Sequence, residues 1–395
     1  MDPIKPEIKK KESSPLVSII TPTYNHEKFI GTCIKTVLNQ SYSNWEMIII
    51  DDGSTDRTGD IVAEFKDDRI KYVKQENVGI WNLYKTYNKA LDLSNGELIA
   101  ILEGDDAWPS YKLEEQVKFF DNNNVIFSWG KKHTINDKNE LISFDRESFE
   151  KILNTPQAEL TRRLITANFI QPCTVMMDKQ VLLSIGGFLQ NKETPYVDYP
   201  TFLELSLKGR FYPSDRVLGY WRKHKAQVTT KQENDMNRAF MFPVEFYEKL
   251  DSSLKKSIKF NMEDKLKSQK IILNDQIAVS GRLSLVKGDW KKASTHFKSI
   301  FFESSLKIKI QSFIGIICAL CKTDMEWFAV ITCKPKIRDD SGEWNTTLFD
   351  QNGNLTNIFK IQIFIMNISR LIRKKPLQRF KSFERDNMYI KGEIN

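Results

Sequence analysis

Glu97-Leu98-Ile99-Ala100-Ile101-Leu102-Glu103-Gly104-Asp105-Asp106-Ala107-Trp108-Pro109 is the stretch whose reading decides the fold of this chain. Its apolar run is the length of one strand, carries the β-branched Ile99 and Ile101, and stops at three carboxylates within four residues. In an open parallel α/β sheet, ligands bind where strands end at their carboxyl edge, so acids there are positioned to hold a divalent metal through oxygen. Like charges this close repel unless something positive sits between them. A second reading stays open from these residues alone: Asp105, Asp106 and the Pro109 turn cap a helix over residues 110–120.

Working outward, strands and helices alternate. Leu16-Val17-Ser18-Ile19-Ile20-Thr21 reads as a strand closed by Pro22, and a helical stripe follows over residues 27–39 through Phe29, Ile30, Cys33, Ile34, Val37 and Leu38. Trp45-Glu46-Met47-Ile48-Ile49-Ile50 is a second strand ending at Asp51-Asp52-Gly53-Ser54, with Ile61, Val62 and Phe65 marking the next helix. Ile70-Lys71-Tyr72-Val73 is a third strand; Asn77-Val78-Gly79 and a helix over residues 81–93 lead to the opening stretch. A fifth strand is expected over residues 125–129, with Lys131, Lys132 and His133 after it and without a role. This alternation predicts a parallel sheet with helices on both faces.

In such a sheet Thr23-Tyr24-Asn25, Asp51-Asp52 and the 103–106 acids all leave carboxyl ends and converge on one crevice. The Tyr24 ring could stack on a nucleotide base, and the Asp51 carboxylate could accept a hydrogen bond from a base or a ribose. Each also fits a plainer role, Tyr24 as a turn aromatic and residues 51–54 as a turn and helix cap. The ordered recurrence of three polar strand exits favours a ligand site.

Four runs in this order, Val17-Ser18-Ile19-Ile20-Thr21-Pro22-Thr23-Tyr24-Asn25, Ile48-Ile49-Ile50-Asp51-Asp52-Gly53-Ser54-Thr55-Asp56, Asn77-Val78-Gly79 and Gly96 to Asp106, closely resemble the family 2 glycosyltransferases. The resemblance covers roughly residues 16–225. It implies the GT-A fold, a Rossmann-like α/β domain for nucleotide-diphospho-sugars, a Mg²⁺ or Mn²⁺ ion and inversion at the anomeric carbon. By matching motif it implies that Tyr24 and Asp51 meet the base beside Thr23, that Asp105 is the principal metal ligand, and that Glu103 and Asp106 line the same pocket, Glu103 as a further ligand. Two departures stand out. Glu103 replaces the Asp of many members, and Tyr87 stands where the family often has Arg before the residue matching Asn88, a donor-side position.

Glycosyl transfer needs a base for the acceptor hydroxyl and a positive environment for the departing diphosphate. Thr194-Pro195-Tyr196-Val197-Asp198-Tyr199-Pro200 resembles the family stretch whose Asp, at the start of a helix expected here over residues 201–208, is the catalytic base. That implies this role for Asp198; a plain helix N-terminal acid is the alternative. Tyr220-Trp221-Arg222-Lys223-His224 resembles the family's aromatic-Arg-x-His element, which implies contacts of Arg222 and His224 with the diphosphate or the metal-bound product, with a solvated basic loop as the alternative. Asn168 to Thr174 and Gly186-Gly187-Phe188 match segments that shape the acceptor pocket.

Beyond residue 230 Lys-rich helical patterns take over, with helices expected over residues 236–250, 254–270 and 271–285. Ile277 to Leu283 and Lys287 to Phe297 resemble one helix–turn–helix of tetratricopeptide type, and a lone copy implies an appendage packed on a larger domain. The organisation expected is a Lys/Glu/Pro-rich lead at 1–15, the catalytic domain at 16–230, a helical domain at 231–338, and a linker with a basic helix (358–375) at 339–395. Residues 313–333 and 358–375 combine apolar and basic faces, which suits either an anionic membrane surface or core packing.

Composition bounds the rest. With 395 residues, 41% hydrophobic and 28% charged, the chain has the make-up of a globular protein of two or three domains. A formal charge of +8 suits an anionic partner, and nucleic acid is disfavoured because it leaves the ordered acids unexplained. The odd set of five cysteines, with Cys318 and Cys321 read as buried core thiols, fits a reducing compartment. No long apolar run is present, so the expectation is a cytoplasmic protein without a transmembrane helix that can touch the inner membrane face.

The function expected is therefore a metal-dependent transfer from a nucleotide-sugar donor, UDP-sugar favoured, to a glycan or lipid-linked acceptor in surface polysaccharide synthesis. A catalytically silent sugar-nucleotide-binding protein with the same fold is the runner-up. A nucleotidyltransferase is less favoured because residues 21–27 form no Gly-rich basic phosphate loop.

Overall fold

A computed structural model describes residues 14–121, 124–144, 148–192, 194–224, 227, 242–302 and 304–323. Residues 1–13 of the lead expected at 1–15, the 339–395 linker and helix, and Cys333 lie outside the described residues. The elements run β1 (Val17–Thr23), α1 (Ile30–Leu38), β2 (Trp45–Asp51), α2 (Thr58–Ala63), β3 (Ile70–Lys74), α3 (Leu83–Asp92), β4 (Leu98–Ile101), α4 (Lys112–Phe120) and β5 (Val125–Ile135). They continue with β6 (Leu141–Phe144), α5 (Glu150–Leu153), α6 (Gln157–Thr166), β7 (Met176–Asp178), α7 (Lys179–Ser184), α8 (Asp198–Leu205) and β8 (Arg210–Arg222). Five helices follow: α9 (Phe242–Glu248), α10 (Ser252–Ile258), α11 (Met262–Val286), α12 (Trp290–Phe301) and α13 (Leu306–Leu320).

The chain divides into two compact units, the first made of Met1–Lys132, Ser148–Gln157 and Ile170–Tyr220. Its sheet runs β3-β2-β1-β4-β7-β5, with β8 also pairing β5. β1 is parallel to both β2 and β4, in the registers Thr23↔Asp51 and Ile20↔Ile101, so the exits of the three strands lie side by side. β7 joins β4 antiparallel. Alternate residues of the central strands face opposite sides, and both sides are buried. Val17, Ile19, Met47, Ile49, Leu98 and Ala100 pack under Ile30, Cys33, Ile34 and Val37 of α1 and under Leu113 and Val117 of α4. The other side carries Ile20, Ile48, Ile50, Ile99 and Ile101, all buried, with α3 packed on β1 and β2. Burial of each such side chain stabilises the fold by about 1.5–3 kcal/mol.

β5 extends six residues beyond the expected end, so Lys131, Lys132 and His133 belong to the strand rather than to a loop after it. Lys131 forms an ion pair with Asp215 at 2.9 Å, and Gly130 lets β8 pass so closely that a Cβ there would lie 2.5 Å from a Leu218 methyl group. A polar pair on neighbouring strands thus prolongs a segment whose own residues lack apolar alternation.

The second unit comprises His133–Glu147, Ala158–Phe169 and Trp221–Asn395. Here the end of β5 pairs antiparallel with β6. The helix–turn–helix expected from residues 277–297 is present: Gly288 turns the chain at φ 75° and Asp289 caps α12 by accepting from the Lys292 N–H at 3.1 Å. α13 packs against both α11 and α12. Phe297 lies between Gly281 and Gly315, where any Cβ would meet its ring. The two helices expected over 254–270 and 271–285 require correction. The break falls earlier, at Lys259 in the left-handed conformation (φ 52°) and at Asn261, which caps α11 by accepting from the Glu263 N–H. No Gly or Pro interrupts residues 262–280, so α11 runs unbroken through Lys270 and Ile271. Cys318 is buried as expected, whereas Cys321 is exposed. No described helix is long and apolar enough to cross a membrane.

Candidate active site

The loop after β4 prolongs the β1–β4 ladder. Leu102 N–H donates to Ile20 O at 3.0 Å and Gly104 N–H to Pro22 O at 3.1 Å. Asp106 N–H then donates back to Glu103 O at 2.9 Å, closing a turn. That turn gathers the three carboxylates: one oxygen each from Glu103, Asp105 and Asp106 lie within 4.8 Å of one another. Asp105 is 8% exposed and Asp106 1%. The capping alternative fails, because α4 starts only at Lys112 and the residue before it, Tyr111, makes no side-chain cap. Gly104 allows the close approach of β1, since a Cβ there would lie 2.6 Å from Thr23 Oγ1. Beyond the acids, Ala107 exchanges two backbone hydrogen bonds with Tyr220 at 2.8 and 3.2 Å.

Burial raises the Glu103 carboxyl above the usual range, and the charges of Asp105 and Asp198 push it the same way. The Tyr87 hydroxyl donates to Glu103 Oε1 at 2.8 Å and partly opposes that rise. Burial, then the Glu103 charge, raises the Tyr87 phenol in turn. His26 Nε2 stands 3.9 Å from Asp105 Oδ2, with its Nδ1 3.1 Å from Thr23 Oγ1. The Cys173 thiol hydrogen-bonds Asp106 and is raised by burial and by the charges of Asp106 and Glu103. Three converging carboxylates, one of them destabilised by its neighbours, form a hard oxygen donor set that fits a divalent cation such as Mg²⁺ or Mn²⁺.

At the next strand exits, Asp51 is buried and held at both oxygens: Oδ1 accepts from Ser54 N–H at 2.7 Å and Oδ2 from the Tyr72 hydroxyl at 2.5 Å. It caps no helix, because α2 starts at Thr58 after Arg57. Asp52 accepts from Gln75 Nε2, Val78 N–H and Gly79 N–H, which shapes the Asn77-Val78-Gly79 turn. Asn25, at φ 53°, stitches the first exit to the second: its N–H donates to Ser54 Oγ and its Oδ1 accepts from Thr55 N–H, each at 2.8 Å. Thr23 is buried and Tyr24 is 46% exposed, leaving the Tyr24 ring available for stacking.

Asp198 is the first residue of α8, earlier than the expected start at residue 201. It is half-buried and lies in the first turn of that helix. Its charge acts on Glu103, Tyr87 and Tyr196, so it shares one electrostatic environment with the acid cluster. Asn88 spends its carboxamide on the backbone of Phe188, donating to O and accepting from N–H at 2.8 Å each. In the second unit Arg222 is fully buried and donates from Nη1 to Asn136 O at 2.7 Å, and His224 is buried as well. The first unit thus brings together Thr23, Asp51, Glu103, Asp105, Asp106 and Asp198, while Arg222 and His224 belong to the other.

Several contributors were not singled out from sequence. His26 lies two residues past Tyr24, and Tyr72 answers Asp51 from the next strand by parallel register, Ile49↔Tyr72. Tyr87 read as a lost basic contact, yet it supplies the hydrogen bond that holds Glu103.

The α/β sheet with acids at the exit of its fourth strand has the GT-A fold of glycosyltransferases. The family model described as glycosyl transferase family 2 matches residues 18–183. TuaG of Bacillus subtilis (strain 168), named for teichuronic acid biosynthesis, is 37% identical over 199 residues, 49% of this chain and 73% of TuaG. The Escherichia coli UDP-Glc:alpha-D-GlcNAc-diphosphoundecaprenol beta-1,3-glucosyltransferase WfgD is 35% identical over 182 residues, 46% of this chain and 68% of WfgD. The solved mannosyltransferase PcManGT of Pyrobaculum calidifontis, in complex with GDP-Man and Mn²⁺, shares the fold at TM-score 0.50 and 19% identity, over 78% of this chain and 81% of that one. The chain belongs to glycosyl transferase family 2 and is a glycosyltransferase.

Proposed function

We propose that the protein is a metal-dependent, inverting glycosyltransferase. It takes a sugar from a nucleotide-diphosphate donor, with UDP favoured, and delivers it to a hydroxyl of a lipid-linked or glycan acceptor in surface polysaccharide synthesis. The observation that carries this reading is the convergence of Glu103, Asp105 and Asp106 oxygens within 4.8 Å at the exit of β4. The activities for which WfgD and TuaG are named support the donor, acceptor and pathway class, and the Mn²⁺ in the PcManGT complex supports the metal.

Asp105 would hold the cation, with Glu103 and Asp106 as further oxygen donors. When bound, the ion supplies positive charge for the diphosphate as it leaves. Tyr24 stacks on the base, and Asp51, fixed by Tyr72 and Ser54, accepts from it. Asp198 takes the proton of the acceptor hydroxyl while that oxygen bonds to the anomeric carbon from the face opposite the diphosphate. The carbon–oxygen bond to the diphosphate breaks with its electron pair on the leaving group. Asn88, committed to Phe188, is a positioning residue in this scheme.

Nucleotide release from a panel of nucleotide sugars, with an acceptor and with and without Mn²⁺, tests the reading. Expected is metal-dependent release that Asp105→Asn abolishes. Release independent of metal removes the cation from the scheme. No turnover with any donor favours a silent sugar-nucleotide-binding protein.

A further inference from the structure

Helix α13 has a side that its packing does not use. Ile308, Cys318 and Ala319 are buried against the other helices of the module. Leu306, Ile310, Phe313, Ile317 and Leu320 recur at alternating steps of four and three, which aligns them on one stripe. This stripe is open to solvent from end to end: Leu306 is 75% exposed, Phe313 56% and Leu320 74%. Phe302, just before the helix, is 81% exposed. A contiguous apolar stripe on a water-facing surface marks an interaction site.

Charge identifies the occupant. Residues 252–323 hold fourteen Lys and Arg against five Asp and Glu, so this segment alone exceeds the +8 of the whole chain. Lys291, Lys292 and Lys298 of α12 and Lys322 after α13 are exposed. Two copies of so basic a module repel each other, which disfavours self-association through this face. An apolar stripe on a strongly basic segment is the pattern of a helix that lies in the interface of an anionic membrane. At fifteen residues α13 is about 22 Å long and suits lying along the interface, not crossing it.

We propose that the exposed face of α13 docks on an anionic lipid bilayer. The stripe enters the boundary between headgroups and acyl chains, and exposed lysines of the same segment meet lipid phosphates. The proposal stands apart from the transfer chemistry, because vesicle binding is read without sugar nucleotide.

The test is flotation of the full-length protein with vesicles of phosphatidylcholine alone or mixed with phosphatidylglycerol. Expected is binding to the mixed vesicles only, weakened by salt, and reduced on the order of tenfold in Phe313→Glu/Ile317→Glu and in Lys291→Glu/Lys292→Glu/Lys298→Glu. Both variants change exposed positions, and unchanged far-ultraviolet circular dichroism checks their folding. Equal binding to neutral vesicles, or binding that neither variant alters, overturns the proposal. So does a dimer that Phe313→Glu/Ile317→Glu converts to monomer, which assigns the face to a second copy. Absence of binding by the monomeric parent also overturns it and leaves the face to the chain's own residues 324–395.

Discussion

At the scale of single residues, the site depends on how buried acids are held when no protein cation lies among the contacts described for Glu103. The Tyr87 hydroxyl aims Oε1 of that residue, and where Glu103 ligates a cation as proposed, such an orienting partner is worth about 10–100-fold in affinity or activity. Tyr87→Phe is therefore expected to weaken Mn²⁺ activation by about that factor, read as a higher metal concentration for half-maximal turnover, while donor KM at saturating metal changes little. Asp198→Asn keeps the shape and removes the proposed base, so kcat should fall by about 10²–10⁴-fold with the metal requirement unchanged. Retained turnover would dismiss Asp198 as the base. What the sequence made readable was placement: the acids and Asp51 follow dense apolar strand runs, and Asp198 stands near the start of a helix. Tyr87 was not readable, because its meaning depends on Glu103, sixteen residues away and brought near only by the packing of α3 over the sheet.

Among the elements, the central strands tolerate little at their closest approaches. A Cβ on Gly96 would lie 2.5 Å from Leu16 O and 2.6 Å from Ser18 N–H, and backbone atoms of a paired strand cannot step aside. Gly96→Ala should cost about 1–3 kcal/mol, measured as a lower urea midpoint with unchanged slope. Helix α6 carries a pH-sensitive element. Glu159 pairs with Arg162 at 2.6 Å and Arg163 at 3.0 Å, and these guanidinium hydrogen bonds lower its carboxyl to about 2. A carboxylate depressed on folding stabilises above its unfolded value and loses that contribution as the pH falls toward its folded one. The difference in urea midpoint between the parent and Glu159→Gln is expected at pH 6 and should close between about pH 4.5 and 2. The alternating strands and helices of the first unit were legible because burial on both faces makes their apolar runs dense. Lys259 ending α10 was not, because a lysine in the left-handed conformation carries no turn signature. Nor was the far half of β5, whose polar side chains are paired across strands distant in sequence.

For the molecule as a whole, a cation bound by the native acid cluster and not by the unfolded chain must raise stability, by about 2.7 kcal/mol at a hundred times its dissociation constant. Thermal unfolding of the parent should move upward with Mn²⁺ and stay fixed in Asp105→Asn. An equal rise in both would place the ion elsewhere. The surplus of lysine in residues 252–323 also means that the chain's positive character is regional, a feature that total charge concealed and position revealed. The exposed Cys321 adds a practical consequence at the end of the same helix. Cys33, Cys173 and Cys318 are buried, so among the described residues Cys321 is the thiol that air or a maleimide reaches first. In a sample without reductant, two chains can become joined there by oxidation, and the resulting species would imitate a native dimer on a sizing column. Kept reduced, the same thiol would carry a polarity-sensitive dye beside Leu320, whose emission would report whether that end of the stripe has left water.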